Sequence, residues 1–240
     1  MRGALPALVQ QGEGTPLVML HGFGGVKEQW GPLLRRLPGR TLAALDLPGH
    51  GAATHWPDRA RPAAARDAVL ATMDAFGWDR VHLVGHSRGG VIASLVALKA
   101  PRRLAAMTLL APGGFSRRLN RSGLGAMASA ATPDAMREAL AAIHAPSAPP
   151  AMFPVRSKDQ REALAEILAT MAESDPQPTL DMDRVAATNV PLTLLWGTSD
   201  TVLPIEGLIE LAPSMRLVRL EGAGHMMIEE AAQTIADHLG

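Results

Sequence analysis

Cysteine is absent from the 240 residues, which excludes disulfide bonds and thiolate metal sites. Charge of one sign is also missing. Lys+Arg and Asp+Glu number 23 each, so the balance recruits neither nucleic acid nor an anionic membrane. No apolar run approaches the ~18 residues of a membrane span. The start, "MRGALPALVQQGEG", lacks the continuous apolar stretch of a signal peptide. A glycine cluster at 22–25 is not followed by Gly-Lys-Ser/Thr, and no dinucleotide fingerprint is complete. The expectation is a soluble, cytoplasmic protein with no metal and no cofactor. Its partner should be a small molecule rather than nucleic acid or membrane; the oligomeric state is left open.

What is present is apolar surface: 47% of the residues, enough for one large domain or a domain with an insertion. Strand-sized apolar runs recur at "PLVML" (16–20), "TLAAL" (41–45), "VHLV" (81–84), "MTLLA" (107–111), "LTLLW" (192–196) and "RLVRL" (216–220). Most are apolar throughout, as strands buried on both faces are. Helical patterns lie between them. Val69, Met73 and Phe76 share a face of 63–76, residues 88–100 are apolar almost all round, and Ile228, Ala231, Ala232, Ile235 and Leu239 form one stripe. Strand alternating with helix predicts an α/β fold with a mostly parallel sheet covered on both faces. Residues 113–190 break the alternation. Thr132-Pro133 reads as an N-cap with proline at the first helical position. Ser157 with Gln160 reads as a capping box opening a helix to about Glu173. "APSAPPAMFP" (145–154) is a proline-rich joint. The segment is read as a helical insertion.

Gly85-His86-Ser87-Arg88-Gly89 fits G-x-S-x-G directly between a buried strand and a buried helix. A serine at such a bend is thrust above the strand end. A hydroxyl attacks well only when a base takes its proton and an acid orients that base. "LLWGTSDTVLP" puts Asp200 just past a strand, and "LEGAGHMMIEE" puts His225 just past the next. Both sit at the carboxyl edge, where parallel sheets place their sites. The candidate catalytic residues are therefore Ser87, Asp200 and His225, with Asp46, Asp181 and Asp183 as weaker acids. His21, His50 and His86 are expected to hold loops. "LHGFGG" (20–25) can turn sharply, making the N–H groups of Phe23 and Arg88 the natural pair of oxyanion donors.

These pieces together resemble the α/β-hydrolase family: "HGFGG", "LDLPGHG" (45–51), "GHSRGG" (85–90), "WGTSD" (196–200) and "GAGH" (222–225), in family order over nearly the whole chain. The resemblance implies a core of 1–112 and 191–240 with a sheet of about eight strands, and a helical cap, 113–190, over the pocket. It also assigns triad roles to Ser87, His225 and Asp200. The motifs look somewhat like those of proteins associated with acetoin breakdown and of carrier-protein methyl-ester esterases.

The reading is a serine hydrolase cleaving a carboxylic ester or thioester through an acyl-enzyme. The alternatives are carbon–carbon hydrolysis of a ring-cleavage diketone and, in another class, a hydrolase-fold protein that binds a ligand without turnover. Phe23, Arg88, Met127, Met136, Met152, Phe153, Ile167 and Met171 are the expected substrate contacts. The basic run Arg117, Arg118, Arg121 could attract an anionic or carrier-bound acyl group. Arg88 is unusual beside a nucleophile. Its side chain can snorkel to water, pair with a protein carboxylate, or present its fork to a substrate carboxylate. The protein carboxylate is the expected partner, since buried arginines are usually paired.

Overall fold

The computed structural model describes residues 3–144, 155–171 and 178–239. Strands β1 (Ala7–Gln10), β2 (Glu13–Leu20), β3 (Arg40–Leu45), β4 (Val81–His86), β5 (Leu104–Leu110), β6 (Leu192–Gly197) and β7 (Arg216–Leu220) build one sheet in the order β1-β3-β2-β4-β5-β6-β7. All neighbours run parallel except β1, which lies antiparallel to β3 at the edge. The described residues thus hold seven strands where the resemblance implied about eight. The parallel strands are the apolar runs of the sequence, and their carboxyl halves are buried nearly throughout. β1 carries no such run: Leu8 and Val9 are 40% and 38% exposed.

Helices flank the sheet: α1 (Gly31–Leu34), α2 (Pro62–Ala75), α3 (Arg88–Lys99), α4 (Arg121–Ser129), α5 (Pro133–Ala141), α6 (Lys158–Met171), α7 (Met182–Ala186), α8 (Met227–Glu230) and α9 (Ala232–Asp237). α3 is buried on most of its circumference and packs on β4 and α2. The single C-terminal stripe is divided in two. Ala231, at φ −136° and ψ 31°, interrupts the helix, while Ile228, Ala232, Ile235 and Leu239 remain buried. No helix among the described residues is long and apolar enough to cross a membrane.

Between β5 and β6 stand α4 to α7, with no named strand among the described residues. Each helix starts on a polar cap. Asn120 Oδ1 accepts from the Gly123 N–H, Thr132 Oγ1 from the Ala135 N–H ahead of Pro133, and Asp181 Oδ1 from the Arg184 N–H. At α6 the reciprocal box forms: the Ser157 N–H donates to Gln160 Oε1 and the Gln160 N–H to Ser157 Oγ. Glu173 and the 145–154 joint lie outside the described residues.

The chain order reverses between β2 and β4, which are adjacent in the sheet although β3 separates them in sequence. The loop after β2 and the turn after β4 therefore meet at the switch point, where doubly wound sheets open a crevice. Asp46, at the end of β3, fixes that crevice's far wall. Its Oδ1 accepts from the Lys27 N–H (2.9 Å), and its Oδ2 from Lys27 Nζ (2.8 Å) and the Ala52 N–H (3.0 Å). Burial alone would raise the Asp46 pKa, but the bonds from Lys27 and Ala52 outweigh it and hold the carboxyl below the usual range. A depressed carboxyl stabilises the fold above the unfolded pKa of about 4, and that stability is lost as pH falls through the folded value. Lys27→Met leaves a fully buried carboxylate short of its cation. Urea unfolding at pH 7 should show a loss of about 3 kcal/mol that shrinks as the carboxylate protonates. A loss independent of pH would mean that the ion pair is not its source.

Candidate active site

Ser87 joins β4 to α3 at φ 51° and ψ −115°, a backbone region that L residues rarely occupy. Two close approaches require the flanking glycines. A Cβ on Gly85 would stand 2.7 Å from Gly89 O, and one on Gly89 would strike the backbone carbonyl of Leu20. Without those side chains, the start of α3 drops onto β4 and β2. The Ser87 N–H donates to Leu110 O (2.9 Å), and Ser87 O accepts from the Gly90 and Gly113 N–H groups, tying the turn to the end of β5. The elbow is thus held from two sides in a strained conformation.

Asp200 and His225 follow β6 and β7. His225 Nδ1 lies 2.8 Å from Asp200 Oδ2, and Asp200 Oδ1 accepts from the Val202 and Leu203 N–H groups at 2.8 Å each. Both side chains are almost completely buried. With Nδ1 donating to the carboxylate, Nε2 is the nitrogen left to face Ser87. Ser87 and His225 line the same cavity, although Ser87 Oγ makes no hydrogen bond among the described residues. Catalytic bonds of this kind often tighten only around substrate. The Phe23 and Arg88 N–H groups are likewise without an acceptor among the described residues. Arg88 opens α3, whose first amides have no intrahelical partner.

Three more histidines hold this arrangement. His86 Nε2 donates to His225 O (2.9 Å), and the two rings lie 4.8 Å apart. His21 Nδ1 donates to Gly22 O, and its Nε2 accepts from the Leu47 N–H. His50 accepts from the Gly24 N–H and donates to Pro48 O. Burial pulls His21 down to about 4 and holds His50 and His86 well below the usual histidine value. All three are therefore neutral near pH 7, and each can accept a bond or donate one as its place requires. Of the weaker acid candidates, Asp46 is engaged by Lys27 and Asp181 caps α7, while Asp183 lies in the first turn of α7 and does not line the Ser87 cavity.

The cavity over Ser87 is small, about 10 Å³, at the lower limit for one water molecule. Its walls include Phe23, Leu124, Met127, Ile143 and Met226. Of the expected apolar contacts, Phe23 and Met127 are among these residues. Met136 is buried against Arg156 in the helical segment, Ile167 presses its Cδ1 toward Gly49, and Met171 is half-buried at the end of α6. Packing of the helices against one another turns these three aside. Met152 and Phe153 lie outside the described residues. Leu124 and Ile143 were missed because helical spacing does not say which face covers a neighbouring element; Met226, beside His225, could have been named. Arg117 and Arg118 are exposed, and the run leans on the loop after Asp200, through Arg117 N–H to Gly207 O and Asn120 N–H to Val202 O. None of the three arginines lines the Ser87 cavity.

Arg88 departs from its expected pairing. It is 4% exposed and meets no carboxylate among the described residues: Nη2 donates to Arg59 O at 3.3 Å, and Nη1 has no partner there.

The strain at Ser87 is directly measurable. Ser87→Gly should raise thermal stability by about 1 kcal/mol, roughly 2–4 °C in a chain of this size. A lower melting temperature would show that the elbow stores no strain.

A model described as the alpha/beta hydrolase family matches residues 17–238. The dihydrolipoyllysine-residue acetyltransferase component of the acetoin cleaving system of Pseudomonas putida is 32% identical over 232 residues, 92% of this chain and 61% of that one. The chain also covers 65% of the Cupriavidus necator component of the same name, so it spans less than two thirds of both. Lipase 1 of Psychrobacter immobilis is 27% identical over 242 residues, 94% of this chain and 75% of the lipase. The solved 2-hydroxy-6-oxo-6-phenylhexa-2,4-dienoate hydrolase of Rhodococcus sp. strain RHA1 superposes with a TM-score of 0.80 at 19% identity, over 97% of this chain and 92% of that one. The family match runs from within β2 into the C-terminal turn after α9, taking in the parallel sheet, the elbow and both loops that face it: this chain belongs to the alpha/beta hydrolase family.

Proposed function

We propose that the protein is a serine hydrolase that cleaves a carboxylic ester or thioester through an acyl-enzyme. The observation that carries this reading is the strained Ser87 elbow in one cavity with a His225 ring whose other nitrogen is 2.8 Å from Asp200. In this reading His225 Nε2 takes the Ser87 proton as Oγ attacks the acyl carbon. Asp200 stabilises the imidazolium that forms. The Phe23 and Arg88 amides receive the negative charge on the carbonyl oxygen, each contributing roughly 2.7–4 kcal/mol to the transition state. His225 then protonates the leaving alcohol or thiol, activates water, and the acid departs from Ser87. Thioesters stay in the substrate class because a relative is named for acyl transfer involving dihydrolipoyl-lysine. The same residues would serve carbon–carbon hydrolysis, the activity named for the Rhodococcus structure.

We propose further that residues 113–190 act as a cap. Leu124, Met127 and Ile143 from this segment wall the Ser87 cavity, which is too small for any acyl group. Substrate entry therefore requires these side chains to move, and methionine adapts most easily. The cytoplasm is the proposed location, on the cysteine-free composition.

Turnover of graded p-nitrophenyl esters, acyl thioesters and a ring-cleavage diketone by the wild type discriminates these classes. Ser87→Ala, His225→Ala and Asp200→Asn should each lower kcat by roughly 10³–10⁴ or more, with circular dichroism unchanged. Double variants should be little worse than the worst single. Cleavage of the diketone alone would move the reaction to carbon–carbon bonds. Full activity in Asp200→Asn would remove Asp200 from the mechanism.

A further inference from the structure

Two guanidinium groups are buried near the elbow without a counter-ion among the described residues. Arg88 is 4% and Arg156 8% exposed. Arg156, between the 145–154 joint and α6, donates from Nη2 to Gly24 O (2.7 Å) and from Nη1 to Met127 O (3.0 Å). Neither arginine forms an ion pair among the described residues, and Arg88 Nη1 has no hydrogen-bond acceptor there. The carboxylates on adjoining segments are already engaged, Asp46 by Lys27 and Glu166 by Arg59. Desolvation draws both guanidiniums down to about 10, which leaves them charged at neutral pH. Both also push the His50 ring toward its neutral form, so the three groups lie within electrostatic reach of one another. Burying one unpaired cation costs several kcal/mol, and burying two beside a common histidine is difficult to sustain without an anion.

A cavity of about 40 Å³ adjoins Arg156, and its walls include Gly24, His50, Gly51, Gln160 and Leu164; Arg88 lies within electrostatic reach of its His50 wall. The Phe23–Gly24 step and Met127 border both this cavity and the Ser87 cavity, with the Met127 side chain and Arg156 Nη2 close to Gly24. Phe23 and Met127 line the Ser87 side, Gly24 lines the other, and the Met127 carbonyl accepts from Arg156. Rotation of the flexible Met127 side chain would open one into the other.

We propose that this second cavity, with Arg156 and Arg88, is a subsite for a carboxylate carried by the acyl group, so that the substrate is a half-ester of a dicarboxylic acid. The assignment of the ester rests on the serine hydrolase reading; the carboxylate subsite does not. The long bond from Arg88 to Arg59 O leaves its fork free to turn toward the anion, and a planar carboxylate matches that fork. A carboxylate there would relieve the desolvation of both cations and hold the ester end over Ser87.

Methyl hydrogen glutarate and its isosteric amide, methyl glutaramate, differ only in whether the far end is an anionic carboxylate or a neutral amide, and make the test. On wild type, kcat/KM for the acid should exceed that for the amide by about tenfold or more. In Ser87→Ala, calorimetry should show the acid binding more tightly by a similar factor. Arg156→Met and Arg88→Met should each narrow both ratios. If either variant fails to fold, the acid-to-amide comparison on the parent proteins still decides. Preferential binding of the acid with no ester turned over would uphold the subsite and sink the hydrolase reading. Equal binding and equal turnover of acid and amide would overturn the subsite and leave the hydrolase reading standing. Tighter binding of inorganic phosphate than of the half-ester would overturn the carboxylate assignment.

Discussion

The site depends on how closely α3 can approach the sheet. Its first turn sits against the Leu20 carbonyl and the backbone of β4, a contact that only hydrogen atoms at positions 85 and 89 permit. That contact forces the Ser87 backbone into its unfavourable conformation. It also leaves the Arg88 amide free of intrahelical bonding and brings it beside the loop after β2. The candidate nucleophile, both candidate oxyanion donors and the proximity of Phe23 thus follow from one packing constraint. A side chain at either glycine would lift the helix and disturb all of them together.

Around that contact, buried polar groups hold loops that the sheet itself does not reach. The histidines do so as neutral hydrogen-bonding links. His21 and His50 bridge the 22–24 and 47–48 backbones, and His86, next to Ser87, anchors the backbone of His225. Neutrality is what suits them to this, since a protonated ring would lose its acceptor and carry a charge into a desolvated place. Asp46 performs the same service as an anion and therefore needs Lys27 beside it. His225 differs in having a carboxylate partner, Asp200, which accepts from its Nδ1 and fixes the orientation of the ring.

The parallel strands were legible because burial on both faces leaves runs such as 81–84 and 192–196 with few polar residues. The edge strand Ala7–Gln10 was not, since half of its surface faces solvent and its apolar run is short. The C-terminal stripe disclosed which side faces the core but not the break at Ala231, where local backbone geometry overrides the periodicity. Ser87, Asp200 and His225 could be singled out because each stands just past the end of a strand, at the carboxyl edge of the sheet. The walls of the cavity could not: Met136 and Ile167 have the same chemistry as Met127 and differ only in tertiary placement. Arg88 is the instructive case. General experience with buried arginines points to a carboxylate in the protein, and among the described residues the side chain instead makes one long bond to a carbonyl. A local pattern does not disclose which partner tertiary structure brings to a side chain.

The central claim is that Ser87 is a nucleophile activated by His225 and oriented by Asp200. Labelling with a fluorophosphonate, followed by peptide mass spectrometry, tests it without knowledge of the substrate. The probe forms a bond from Oγ to phosphorus and expels fluoride, which an ordinary serine does not accomplish at an appreciable rate. The account predicts a single adduct on the peptide containing Ser87, formed rapidly by the wild type and very slowly by His225→Ala. Folded protein that remains unlabelled, or label on another serine, would contradict it.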